Sequence, residues 1–117
     1  MKVTLLGQDF ELSFTTGAQE EIAKLCPGND IKNLGDYMAA ASGTTEQMTA
    51  IKNLAVVLSK WGARRAAVLG QEVGELTEDL FDLLEPREIL ALSDSLMAAM
   101  GADSKPDIVA EPIKEKN

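Results

Sequence analysis

The chain has 117 residues and a net charge of −8, from 19 acids against 11 bases. That length suits one hydrophobic core, and a 45% hydrophobic content suits a folded chain rather than a disordered one. The charge repels phosphate backbones, the lack of histidine removes the commonest general base and zinc ligand, and the single Cys26 excludes an intramolecular disulfide.

The start, "KVTLLGQDFELSF", alternates: Val3 and Leu5 face one way, and so do Phe10, Leu12 and Phe14. With Gly7-Gln8 between the runs, the pattern predicts a β-hairpin on a Gly-first turn. Two strands alone are marginal in water, so the hairpin has to lay its apolar face on helices. The N-terminus meets this turn and then acids before a signal-peptide core can form, and no apolar run approaches a membrane span. A cytosolic protein is expected.

Helical signals follow. Thr16 and Gln19 have capping-box spacing ahead of "GAQEEIAKL". Pro27-Gly28 stops that helix, and Asn29 or Asp30 caps the next, "IKNLGDYMAAAS". Cys26, before Pro27 at the helix end, reads as a small buried residue. Ser42-Gly43 ends the second helix, and Thr44 with Gln47 is expected to cap a long one from about Glu46 to about Leu69.

On that long helix Ile51, Leu54, Val57, Leu58, Trp61, Val68 and Leu69 share one arc, with Lys52, Asn53, Ser59, Lys60 and Arg64 opposite. Trp61 is therefore expected to point inward with the leucines. Arg65 falls inside the apolar arc, which requires either a bend near Gly62 or a guanidinium that reaches an acidic partner from the edge of the core, its stem laid along apolar surface.

Gly70 and Gly74 frame a loop, and Thr77 caps "EDLFDLL". Pro86 stands in the first turn of "REILALSDSLMAAM", which Gly101 stops. Residues 102–117 have two prolines, mixed charge and no period, and read as a flexible tail. The expected architecture is mainly α with a small N-terminal β-hairpin (α+β). It forms one domain over residues 1–101, with the hairpin packed on about five helices.

No stretch carries an enzyme motif. Glu20, Glu21, Glu78, Asp79 and Asp82 lie on polar helix faces and read as solvated, and "GNDIKNLGD" lacks the ligand ladder of a calcium loop. Catalytic residues, metal and cofactor are accordingly not expected. Lys60, Arg64 and Arg65 are too few for a nucleic-acid footprint in an acidic chain and are expected to pair with acids of neighbouring helices or of a partner. The last helix has a core stripe of Ile89, Leu92, Leu96, Ala99 and Met100, widened by Leu90 and Met97. Together with Met38 and Met48, its methionines suit a surface that accepts varied apolar partners.

The order of these pieces, "FELSFTTGAQEEIAKL", then "NLAVVLSKWGARR", "ELTEDLFDLL" and "REILALSDSLMAAM", resembles the small tail assembly chaperones of long-tailed bacteriophages and Gram-positive prophages. The resemblance spans about residues 2 to 100. Where family members often carry Tyr-Ala-Gly near the end of the long helix, this chain has Lys60-Trp61-Gly62.

The resemblance implies a non-enzymatic protein of the host bacterial cytoplasm. It would coat the long, aggregation-prone tape measure protein before the tail tube polymerises around it. Such chaperones are often made in two lengths by a ribosomal frameshift, and a tail ending "EPIKEKN" fits the short form. A connector or tail completion subunit of the same assembly is the alternative. Other tail proteins and further copies of the chain are also expected as partners, but no nucleic acid and no membrane. The tape-measure contact is expected at Leu90, Met97 and Met100.

Overall fold

The computed structural model describes residues 1–41 and 43–101. The stretch read as a flexible tail, 102–117, lies outside the described residues, as does Ser42. Strands β1 (Lys2–Leu5) and β2 (Gln8–Glu11) form the hairpin. They are followed by α1 (Thr16–Ala23), two single 3₁₀ turns (Pro27–Asn29 and Ile31–Asn33), α2 (Leu34–Ala40), α3 (Thr44–Val68), α4 (Glu78–Phe81) and α5 (Pro86–Ala99). The expected class is what is found: a mainly helical molecule with an N-terminal two-stranded antiparallel hairpin. No helix of the described residues is long and apolar enough to cross a membrane.

The hairpin pairs Lys2 with Glu11, Val3 with Phe10, Thr4 with Asp9 and Leu5 with Gln8. Its turn is Leu6-Gly7 rather than Gly7-Gln8. Both turn residues have positive φ, +54° and +74°, as the twist-matched two-residue hairpin turn requires. Glycine takes that conformation freely, whereas Leu6 does so against its Cβ. Cross-strand bonds on the observed register favour it. The Thr4 hydroxyl donates to Asp9 at 2.7 Å, the Leu12 N–H donates to the Met1 carbonyl at 2.8 Å, and the terminal ammonium meets Glu11 at 2.6 Å.

Helix starts differ from the expected ones by a residue. Thr15, not Thr16, caps α1, its hydroxyl accepting from the Ala18 N–H at 3.1 Å. Thr44 lies inside α3 because Gly43 already holds the extended conformation of a cap residue (φ −99°, ψ 160°), and its carbonyl accepts from the Gln47 N–H. Asp30 caps the second 3₁₀ turn through the Lys32 N–H, and Thr77 caps α4 through the Leu80 N–H, both as expected. In α5 the N-cap Glu85 and Glu88 form a reciprocal capping box that spans Pro86, and Gly101, just past the helix end, has φ +77°.

The core joins Val3, Leu5, Phe10 and Leu12 of the hairpin region to Ile22 of α1, Leu54 and Leu58 of α3, Leu76 and Phe81 around α4, and Leu92 and Leu96 of α5. Full burial of each large side chain is worth about 1.5–3 kcal/mol. Cys26 is buried with them, its thiol 3.3 Å from the Ile22 carbonyl. Burial, and then the nearby charge of Asp30, raises its pKa, so the thiol stays protonated and unreactive at neutral pH.

The buried face of α3 corrects the expected arc. Leu54 and Leu58 are fully buried, but Val68 is 87% and Leu69 61% exposed, while Ser59 is buried with Ala55, Gly62 and Ala66. The face turns toward small residues because backbone, not side chains, lies against it. The Ser13 N–H donates to the Leu58 carbonyl at 3.2 Å, and a Cβ on Gly62 would fall on the Glu11 carbonyl. On the same edge of β2, away from β1, Gly74 makes a parallel bridge with Phe10 and donates to the Asp9 carbonyl at 3.1 Å. The next residue but one, Leu76, is held by its N–H donating to Ser59 Oγ at 2.7 Å.

Gly62→Ala separates this contact from ordinary helix propensity. In an exposed helix the change stabilises by about 1 kcal/mol. Here the displaced Glu11 backbone is expected to reverse the sign, for a net loss of about 2 kcal/mol in chemical denaturation.

Candidate partner-binding surface

Helix α5 is started by its capping box, and its inner side is set by Leu92 and Leu96, which are buried, with Ile89, Ala99 and Met100 packed half-buried against the core. Leu90 lies outside that stripe and is 68% exposed. Met97, seven residues on and so on the same side of the helix, is half-buried. Of the three residues expected at a partner contact, Leu90 and Met97 form an outer line along α5 and Met100 leans on the core. Met38 also packs on the core, whereas Met48 is 42% exposed. Leu83, between α4 and α5, is 66% exposed, and sequence reasoning did not single it out.

Lys60 and Arg64 of the basic cluster are engaged within the chain. Lys60 pairs with Glu21 of α1 at 2.6 Å, and the Trp61 indole N–H donates to the other oxygen of the same carboxylate at 2.7 Å. The indole lies over Gly17, where a Cβ would stand 2.6 Å from the ring, and the Arg64 guanidinium sits 4.6 Å from its centroid. Trp61 is thus half-buried at the α1–α3 seam rather than in the interior with Leu54 and Leu58. Glu21, read from sequence as solvated, is the acid that joins the two helices. The signal was weak because the pair is 39 residues apart, beyond any helical spacing.

Hydrogen bonds from Lys60 first and from Trp61 second hold the Glu21 carboxyl below the usual glutamate range, against the opposing effect of desolvation. Arg65 is exposed at a shallow hollow of about 480 Å³ beside Met1, Glu11, Phe14 and Ala98, with no acid in ion-pair range among the described residues. Arg65 leaves the core at its edge, but the acidic partner expected for it there is not found among the described residues. Asp82 is likewise engaged, by Lys52 at 3.1 Å. Among the described residues, no three acidic or cysteine side chains converge as metal ligands would.

No family model, curated protein or solved structure matches the chain.

Two outcomes follow from the α1–α3 seam. Trp61→Ala is expected to cost about 2 kcal/mol in denaturation, below the 3–5 kcal/mol of an aromatic removed from a full interior. A depressed carboxylate pKa contributes stability at neutral pH that is lost as pH falls through the ordinary range near 4.3 and on to the folded value. The Tm gap between wild type and Glu21→Gln should therefore be widest near pH 7 and close on acidification toward pH 3. A gap that stays constant would show that the carboxylate charge contributes nothing.

Proposed function

We propose that the protein is a non-enzymatic tail assembly chaperone of a long-tailed phage or prophage. On this reading it binds the tape measure protein in the host bacterial cytoplasm and keeps it soluble until the tail tube forms. The reading is carried by the order of the sequence pieces, hairpin, long helix, Leu-Thr-acid turn and last helix, over residues 2 to 100. It is supported by apolar side chains standing out from a well-capped helix, Leu90 with Met97 beside it, since a client with varied sequence is met best by flexible, weakly shape-selective apolar contacts. An exposed leucine on a rigid helix adds nothing to folding and favours association.

The gene should lie directly upstream of a very long coiled-coil reading frame, and co-expression should keep that product soluble in a stable complex. The paired change Leu90→Ser with Met97→Ser is expected to weaken the complex about tenfold while lowering Tm by only a few degrees, because Leu90 is exposed. Lack of any complex with the wild-type protein would overturn the reading. A double variant that simply unfolds would move the contact away from these two residues.

A further inference from the structure

The charge of the chain is not evenly spread. Residues 1–70 hold seven acids and seven bases, whereas residues 71–101 hold eight acids against Arg87 alone. Nearly the whole excess of −8 therefore sits on the segment that forms α4, α5 and the loop before them. Seven of those eight acids are exposed, Glu88 being the exception.

An apolar groove of about 280 Å³ opens between the first turns of α3 and the α4–α5 corner of this acidic segment. One wall is Thr45, Met48, Thr49 and Lys52, the i, i+3, i+4, i+7 line of α3, which extends about 10 Å along the helix axis. Across it stand Phe81, Leu84 and Ile89. Lys52, bonded to Asp82 and 5.9 Å from the Phe81 ring centre, ties the two walls together. Met48, in the α3 wall, is 42% exposed and so open to a partner.

We infer that this groove seats a cationic amphipathic helix of the partner protein. The inference rests on the chaperone reading for the partner's identity and adds its chemistry and its seat. A groove between two helices accepts a third helix through apolar residues at i, i+3, i+4 and i+7. The acids of the segment that forms one of its walls select lysine and arginine on that helix's flanks and speed the encounter. Nucleic acid and anionic lipid are repelled by the same field. A second copy of a −8 chain is a poorer electrostatic match than a cationic helix.

The test uses two synthetic helices of about 20 residues, long enough to form in water. Both carry leucine at i, i+3, i+4 and i+7, with lysine on the remaining face of one and glutamate on the other. Calorimetric titration of the full-length chain should give at least tenfold tighter binding of the lysine helix, weakening as salt is raised. Met48→Ser removes apolar surface from the groove wall at unchanged charge and should reduce that affinity about tenfold. Thr49→Lys, on an exposed face of α3, should do the same and guards against a folding defect in the first variant.

Equal binding of the two helices, or binding indifferent to both variants, overturns the inference. So does a concentration-dependent dimer of the chain that these variants dissociate. With the tape measure protein itself as probe, a complex lost only in the Leu90→Ser, Met97→Ser protein overturns the groove and leaves the chaperone reading standing. Groove-dependent binding of the lysine helix without any tape-measure complex does the reverse.

Discussion

The structure depends on backbone pressed against backbone where the end of the hairpin meets α3. A two-stranded hairpin cannot bury its own apolar face. This one is placed by the Ser13 N–H donating into α3 at the Leu58 carbonyl and by Gly62, whose missing side chain lets the Glu11 carbonyl come to the helix surface. Ala55, Ser59 and Ala66 continue a stripe of small buried residues on the same helix. With the strand held there, Phe10 and Leu12 reach the interior and meet Leu54 and Leu58. The same outer edge of β2, away from β1, holds Gly74, and the Ser59 hydroxyl takes the Leu76 N–H, so α3 also anchors the chain that leads into α4 and α5. A buried N–H left without that hydroxyl would cost about 1–3 kcal/mol, which explains a serine in the interior.

That dependence explains which parts of the fold were legible in the sequence. Alternation and capping signals located the hairpin and all five helices, because those signals are local. Positions set by tertiary contact were not. A helical wheel weighs large apolar residues, so it placed Val68 and Leu69 with the core and Ser59 outside. The opposite holds because the neighbour of α3 is a main chain that demands small side chains.

The hairpin turn shows a different limit. A Gly7-Gln8 turn would pair Leu5 with Phe10, and the observed turn pairs Val3 with Phe10, but the two registers differ by two residues and bury the same face. Periodicity cannot separate them. The bonds Thr4–Asp9 and Leu12–Met1 do, at the expense of a leucine with positive φ. Likewise Thr15 and Thr16 are equal candidates by spacing to cap α1, and the structure uses Thr15, whose hydroxyl accepts from the Ala18 N–H.

The acids near α4 and α5 show how far local structure accounts for surface charge. Glu78 and Asp79 stand in the first turn of α4, and Glu85 and Glu88 start α5, positions where a carboxylate favours the helix dipole or satisfies a free N–H. Asp82 is matched by Lys52. Glu72, Glu75 and Asp94 remain, exposed and without a cation in ion-pair range among the described residues. Gathering these acids on about thirty residues opposes compaction through self-repulsion. The rest of the described chain is neutral and would have accommodated the same acids at wider spacing. Folding and solubility alone are served by net charge, not by its segregation, and it is this segregation that the proposed cationic helix would match.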